Sequence, residues 1–166
     1  MSVLLSAMSD VILEKSQQTF FRELVHLETE DSIQFFDLTP YIHDFISRTG
    51  VKQGLVLART FHTTTAVCVN EKEPGLLYDL IRLLKNIIPD KHEYYHDDPN
   101  IHKTEDPNER QNGFAHLRAL LLGSDVTLSI VDGKLTLGKW QSVFFLELDG
   151  PREKRTVELV IMTSAK

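Results

Sequence analysis

Three histidines in the middle of the chain have the residue types and polar neighbours that metal binding or proton transfer requires. They occur in the segments F-H62-T-T-T, Y-Y-H96-D-D and A-H116-L-R. Imidazole nitrogens are common zinc ligands, and they also exchange protons near neutral pH. The sequence therefore predicts a zinc site formed by His62, His96 and His116, or an acid–base site for a phosphorylated substrate. The chain holds 7 histidines, so a chance grouping is the competing interpretation.

The segment around His62 alternates like a β-strand. Alternation places His62, Thr64 and Asn70 on one small, polar face, and Val67 and Val69 on the opposite, more apolar face. The polar face is predicted to form a cleft wall and the apolar face to meet the core. The alternative is an edge-strand histidine that is bonded to a neighbour.

Asn112 and His116 are four residues apart, so a helix places them one turn apart on the same face. Arg118 points elsewhere, because two residues correspond to about 200° of rotation. The side facing the core is predicted to be made of leucines: Leu117, Leu120 and Leu121. An Asn–His face indicates a cleft or an interface, and a solvated face is the alternative.

His96 lies in a polar loop of some twenty residues, 89–111, which is long for a compact domain and therefore typical of a functional or disordered segment. Asp97 or Asp98 is predicted to orient the His96 ring. The alternative is a solvated charge cluster, and His92 and His102 in the same loop leave open which histidine matters.

The composition restricts the class of protein. The chain has 166 residues, one ordinary domain, with a net charge of -6 that makes nucleic acid an unexpected partner. Its one cysteine, Cys68, excludes an internal disulfide and indicates a reducing compartment. No apolar run approaches the ~20 residues that cross a bilayer, so a cytoplasmic protein without membrane contact is predicted. Residues 1–15 are predicted to be a peripheral extension and 16–166 a single domain.

The order of elements predicts an α+β fold, a single compact domain of mostly antiparallel sheet with about three helices. Strands are predicted over 17–29 and 33–38, two strands or one long bent strand over 54–70, and three more after residue 123. Helices are predicted from Thr39 as N-cap to Gly50, from Pro74 to Pro89, and from Asn112 to Leu122. The apolar runs 143–148 and 157–162 predict exposed strand edges that a closed oligomer would cover.

Several of these segments, in this order, resemble the YjbQ-type family, the secondary thiamine-phosphate synthases. The matching pieces are H62-T-T-T-A-V-C-V-N70-E71, Y95-H96-D97, A115-H116-L-R-A-L-L-L-G123, D132-G-K-L-T-L-G138-K-W140-Q141 and D149-G-P-R152. The usual Gly-Thr-Trp-Gln of the family is Gly-Lys139-Trp-Gln here. The resemblance implies an α+β homotrimer that couples a pyrimidine-methyl diphosphate with a thiazole phosphate and releases diphosphate.

The residues and the resemblance together define the expected site. His62, His116 and Glu71 are expected to be catalytic, and His62, His96 and His116 to hold a divalent metal, zinc rather than magnesium. Substrate contacts are expected from six residues: Asn70, Asn112, Arg118, Lys139, Gln141 and Arg152. The substrate is expected to be a small phosphorylated or anionic molecule. Two alternatives stay open, a zinc-dependent hydrolase with three histidine ligands and a trimeric anion-binding protein without catalysis.

Overall fold

A computed structural model describes residues 18–103 and 110–164, so the predicted extension 1–15 lies outside the described residues. The strands are β1 (Gln18–Thr29), β2 (Gln34–Asp37), β3 (Gln53–Thr60), β4 (Thr65–Glu71), β5 (Asp125–Val131), β6 (Lys134–Leu135), β7 (Gln141–Glu147) and β8 (Arg152–Ser164). The helices are α1 (Thr39–Thr49), α2 (Pro74–Ile87) and α3 (Gly113–Leu122), with a 3₁₀ turn at Tyr95–Asp97. The α+β prediction is confirmed.

The strands form two antiparallel sheets that share no strand. One has five strands in the order β1-β8-β3-β5-β6, and the other has three in the order β2-β7-β4. The chain crosses from the first sheet to the second at residues 61–64, between β3 and β4. His62 lies in that crossing segment, and the prediction of two strands over 54–70, in place of one bent strand, is confirmed.

Alternation explains β1, whose predicted strand is confirmed. Val25 and Leu27 are buried in the main core, whereas Phe20 and Leu24 on the other face are exposed. Helix α1 begins differently from the prediction, because Leu38 is its N-cap residue. The hydroxyl of Thr39 instead accepts a hydrogen bond from the amide of Val143 (2.9 Å) and joins the helix to β7.

The three-stranded sheet is buried on both faces. Val67 and Phe145 face the main core, while Ala66 and Phe144 face a second core under α2 and α3. The prediction of a polar cleft wall on this face of β4 is therefore wrong, because Ala66 is fully buried. The apolar runs 143–148 and 157–162 lie mainly in β7 and β8, the central strand of one sheet and an interior strand of the other, so they are not exposed edges.

Helix α3 buries small side chains where leucines were predicted. Ala115 and Ala119 face the second core, whereas Leu117, Leu120 and Leu121 are exposed by 43%, 80% and 62%. The alanines let the helix lie close to the sheet, and this turns the leucines outward. The predicted buried side of this helix is thus its exposed side. Along residues 18–103 and 110–164, no helix has the length and apolar character needed to span a membrane.

Candidate active site

The predicted site residues are divided between the two ends of β4. In the antiparallel pair with β7, Thr65 lies opposite Glu147 at one end and Glu71 lies opposite Gln141 at the other. The first is called the histidine end and the second the glutamine end. At ~3.3 Å per residue, the two ends are roughly 20 Å apart. Within one subunit Asn70 and Glu71 therefore lie away from the histidines, so the predicted convergence of the two groups would need a subunit boundary.

His62 is held at the histidine end by hydrogen bonds on its backbone and its ring. Its amide donates to the hydroxyl of Thr60 (3.2 Å), and Nε2 accepts from the amide of Thr156 (2.9 Å). Burial lowers the pKa of His62, and the positive charges of Arg155 and Arg152 lower it further, against an opposing effect of Glu147. The ring is therefore biased towards its neutral form.

His62 and His116 line the same pocket, which has a volume of about 410 Å³. Its other walls are Thr63, Thr65, Leu117, Ala119, Leu120, Gly123 and Ser124. The end of α3 is tied to β3 and β4 here, because Gly123 accepts from the amide of Val67 (3.1 Å) and Ser124 from that of Thr60 (3.0 Å). The helix and the crossing segment thus place two imidazoles on one cleft.

His96 contacts His116 from the loop side. Its ring centroid lies 4.6 Å from that of His116 and 4.6 Å from that of His102. The buried Nε2 of His96 has no hydrogen-bond partner among the residues that the structure describes. Asp97 and Asp98 do not orient this ring as predicted: Asp97 accepts from the amide of Gly113 (3.0 Å), and Asp98 accepts from Asn100. Asp97 instead stabilises the N-terminus of α3, where a carboxylate is favoured.

The predicted zinc ligands fit a metal unequally. Among residues 18–103 and 110–164 no group of three or more histidine, cysteine or acidic side chains could hold a metal ion. His62 does not fit the ligand role, since the lone pair of Nε2 already accepts the amide of Thr156. His96 fits better, because no group in the described part of the chain forms a hydrogen bond with its Nε2.

Asn112 and Arg152 also lie at the histidine end, joined by Asp149. Asn112 is the N-cap residue of α3, is buried, and donates from Nδ2 to the Asp149 carboxylate (2.9 Å). Its Oδ1 has no hydrogen-bond partner within residues 18–103 and 110–164. The Arg152 guanidinium contacts the same carboxylate and donates from Nε to the carbonyl of Asp149 (3.2 Å). The side chain of Arg152 is 34% exposed, so it can also reach a substrate.

Arg118, a predicted substrate contact, is fully buried. Its Nε donates to the carbonyl of Ile88 (3.0 Å), and Nη2 contacts the carboxylate of Asp90 (2.7 Å). The guanidinium also lies over the ring of Phe114, 4.9 Å from its centroid. These contacts within the protein use the guanidinium of Arg118 to anchor α3 to the segment after α2. Because the side chain is fully buried, a substrate cannot reach it.

The glutamine end is exposed and bonded mainly within its own turns. Asn70 accepts from the amide of Glu71 (2.8 Å), and Gln141 accepts from the amide of Gly138 (2.7 Å). Lys139 lies over the ring of Trp140, 4.6 Å from its centroid. Trp140 is 63% exposed.

A buried ion pair that the sequence patterns did not predict lies behind His62. Arg155 donates from Nε and Nη2 to the two oxygens of Glu147, both at 2.6 Å. Arg155 also donates to the hydroxyl of Thr64 (3.0 Å) in the crossing segment. The pair connects β8 of one sheet to β7 of the other. The available signal was an acidic residue in the otherwise apolar run V-F-F-L-E-L, because such a carboxylate needs a partner when buried.

Comparison with known proteins decides the family. Residues 23–164 match the family model described as "UPF0047 protein YjbQ-like". The chain belongs to the YjbQ family. A relative from Archaeoglobus fulgidus, named only as a UPF0047 protein, is 37% identical over 79% of this chain and 94% of its own length. The Bacillus subtilis member YugU is 28% identical over 78% of this chain and 91% of its own.

Solved structures of the family have the same fold. A YbjQ-like protein of unknown function from Sulfolobus solfataricus superposes with a TM-score of 0.78 at 28% identity, covering 88% of this chain and 99% of that one. A hypothetical protein from Aeropyrum pernix gives a TM-score of 0.74 at 31% identity, over 85% and 97%. The described fold is therefore that of the YjbQ family.

Proposed function

We propose that this YjbQ-family chain is a transferase for small phosphorylated molecules, and that the coupling reaction of the secondary thiamine-phosphate synthases is the activity to test first. The observation that carries the proposal is the pocket shared by His62 and His116. In the coupling, the thiazole nitrogen attacks the pyrimidine methylene carbon, a C–N bond forms, and the C–O bond to diphosphate breaks. Such a reaction needs groups that receive the charge of the leaving diphosphate.

The histidine end supplies groups of the required chemistry. His116 can transfer a proton to the departing diphosphate oxygen, a role that typically contributes ~10²–10⁴ in rate. Arg152, partly exposed beside Asp149, can contact an anionic oxygen. No step of this scheme uses a metal ion.

The glutamine end requires a second subunit in this proposal. We propose that the protein is a homotrimer in which Asn70, Glu71, Lys139 and Gln141 of one copy complete the histidine end of the next. Within one chain these groups are separated by the roughly 20 Å length of β4. Exposed apolar side chains at both ends support an interface there: Leu120 on the wall of the pocket and Trp140 beside Gln141.

A further exposed apolar row supports self-association. Phe20 on β1, Met162 on β8 and Leu55 on β3 lie opposite one another in register across the five-stranded sheet. Phe20 is 58% exposed and Leu55 is 43% exposed. Closed cyclic symmetry is the usual way in which identical chains cover such a surface. Sedimentation equilibrium should report three times the 19.0 kDa chain mass, and a monomer at micromolar concentration would contradict the trimer.

Activity is tested by complementation of a strain that lacks its dedicated thiamine-phosphate synthase, together with turnover of the purified protein. Wild type should rescue growth, and His116→Ala should not. His43→Ala is the matched control, because His43 is exposed on α1, outside the pocket. Equal rescue by wild type, His62→Ala, His96→Ala and His116→Ala would mean that these histidines do not carry the reaction. Failure of wild type in both assays would reject this substrate pair.

Mixing two inactive variants tests whether the site is shared. Glu71→Gln keeps an intact histidine end, and His116→Ala keeps an intact glutamine end. Subunit exchange at equal amounts should restore about a quarter of wild-type activity, because a boundary works only when each variant supplies its intact end. Mixing either variant with itself is the control. A mixture that stays inactive after mass spectrometry shows mixed trimers would place both residues in one subunit's site.

A zinc-dependent hydrolase is the second candidate. It is favoured by the Nε2 of His96, which no described residue contacts by a hydrogen bond, and by the adjacent ring of His116. Zinc would be held by His96 and His116 with a further ligand, and it would supply a metal-bound hydroxide near neutral pH. Elemental analysis of protein purified without an affinity tag checks this. One zinc per chain, lost in His96→Ala and kept in His92→Ala, would favour the hydrolase over the metal-free transferase.

A further inference from the structure

One ring nitrogen of His62, Nε2, already accepts a hydrogen bond from the protein backbone. A backbone amide can only donate a hydrogen bond, so the amide of Thr156 at 2.9 Å must point at a lone pair on Nε2. If Nε2 carried a proton, two donors would face each other across that distance. The neutral ring therefore carries its proton on Nδ1, and protonation of Nε2 would cost the bond to Thr156.

The architecture explains why Thr156 is available. The last pair between β3 and β8 is Thr60 opposite Val157. Beyond it the chain leaves the five-stranded sheet through the crossing segment 61–64, and β8 continues without β3 beside it. The ring of His62 takes the place of the missing strand as acceptor for the Thr156 amide.

Arg155, the residue before Thr156, holds the crossing segment through a second set of hydrogen bonds. Its guanidinium holds Glu147 with two hydrogen bonds of 2.6 Å and also donates to the hydroxyl of Thr64 (3.0 Å). Glu147 is immobilised in turn, because it accepts from the amides of Leu148 (3.0 Å) and Asp149 (2.9 Å). Consecutive residues of β8 thus hold the crossing segment at two points, His62 and Thr64.

Resting on the proposed function, we infer that His62 contacts the substrate as a neutral Nδ1–H donor to an anionic oxygen, and that Arg155 is the positioning residue that keeps it so. The ring in this state has no available lone pair, because one nitrogen carries the proton and the other accepts the Thr156 amide. His62 is then neither the general base nor a metal ligand, and His116 is the histidine that transfers the proton. Phosphate or diphosphate oxygens are the acceptors that suit a fixed N–H donor in the pocket.

The direct test is nuclear magnetic resonance of the wild-type protein with ¹⁵N-labelled histidine at pH 7. Long-range ¹H–¹⁵N spectra distinguish protonated from unprotonated ring nitrogens, and loss of the signal in His62→Asn assigns it. We expect a protonated Nδ1 and an unprotonated Nε2 for His62. The opposite tautomer, or a doubly protonated ring, would refute the inference even if the enzyme turns over its substrate. The expected tautomer in a protein without turnover would instead count against the proposed function.

Two variants test the donor and its positioning with inorganic pyrophosphate as the probe. His62→Asn places an amide N–H near the position of Nδ1 and should retain affinity within about tenfold, whereas His62→Ala should lose ten- to a hundredfold, as for a hydrogen bond to a charged group. Equal affinity of wild type and His62→Ala, or no pyrophosphate binding by wild type, would contradict an anion-binding role. His43→Gln serves as the control.

Arg155→Lys keeps a positive charge but cannot make the paired contacts with Glu147 and the bond to Thr64 together. In folded Arg155→Lys, the His62 signals should broaden or shift towards a mixture of tautomers, and pyrophosphate affinity should fall. His62 signals unchanged from wild type would show that Arg155 only stabilises the fold. The wild-type spectrum decides the tautomer independently if this variant does not fold.

Discussion

The histidine end and the glutamine end of the three-stranded sheet differ in how their polar groups are satisfied. At the histidine end, Glu147 is fully buried and bonded to Arg155, and the ring of His62 is fixed by a backbone amide. At the glutamine end, Asn70 and Gln141 bond within their own turns, and Trp140 faces outward. The histidine end is held in place by contacts within one chain, whereas the side chains of the glutamine end are exposed on the surface of the subunit. The histidine end is therefore tested by stability measurements on the single chain, and the glutamine end by measurements of assembly.

The largest effect should come from breaking the buried ion pair at the histidine end. Glu147→Ala leaves the guanidinium of Arg155 buried without its carboxylate, which typically costs ~3–5 kcal/mol of folding free energy. Urea unfolding followed by circular dichroism measures the change. Glu153→Ala, at an exposed position of β8, is the matched control and should change stability by less than ~0.5 kcal/mol. Similar small values for both would mean that the pair does not hold the sheets together.

A smaller effect on the fold, but a large one on assembly, is expected at the outer wall of the pocket. Leu120→Glu places a charge on a side chain that is 80% exposed in the single chain, so the folded subunit should tolerate it. In a trimer that covers this surface, the charge should cost at least ~2 kcal/mol per interface and shift the protein towards monomers in analytical ultracentrifugation. Leu120→Met keeps the surface apolar and should assemble normally. An unchanged sedimentation profile for Leu120→Glu would exclude this face from the interface.

The smallest effect is a pH dependence that only the histidine end should show. The folded pKa of His62 is lowered by burial and by nearby arginines, so the unfolded chain takes up a proton at higher pH than the folded one. The stability associated with the neutral ring is therefore present above the unfolded pKa and declines as the pH falls through it towards the folded pKa. His62→Asn should flatten the unfolding free energy across this window relative to wild type. A parallel profile in the variant would assign the dependence to other groups.

The sequence predicted the elements better than the surroundings of the site. The positions of proline and glycine located the ends of the helices. Gly50 is the C-cap residue of α1, and its φ of 68° is the left-handed conformation that glycine adopts at helix ends. Alternation located β1 because one of its faces is buried and the other is not. For β4 it placed Val67 correctly against the core but failed on the opposite face. A strand covered on both faces has no polar side, and small residues such as Ala66 then indicate close packing and not a cleft.

The site itself was predicted only in part because contacts between distant segments are not written in local spacing. His62 and His116 do line one pocket, as expected from their polar settings and the family resemblance. Local spacing does not show that the whole length of β4 separates Glu71 from these two histidines. Nor does it show that Arg118 is bonded to the carbonyl of Ile88 and the carboxylate of Asp90. Helix periodicity also misplaced the α3 leucines, because both faces of that helix are apolar and the choice between them depends on how closely the helix approaches the sheet.

The position of Trp140 makes the intrinsic tryptophan fluorescence of the protein a measure of subunit association. It is the single tryptophan of the chain, its ring is largely exposed, and the ammonium of Lys139 lies over it. Because the indole already faces water in an isolated folded subunit, unfolding such a subunit should change its emission colour little. An assembly that covers the glutamine end would remove that water. Dilution, which separates subunits without unfolding them, should then shift the emission to longer wavelength, so that fluorescence reports association where it would ordinarily report folding.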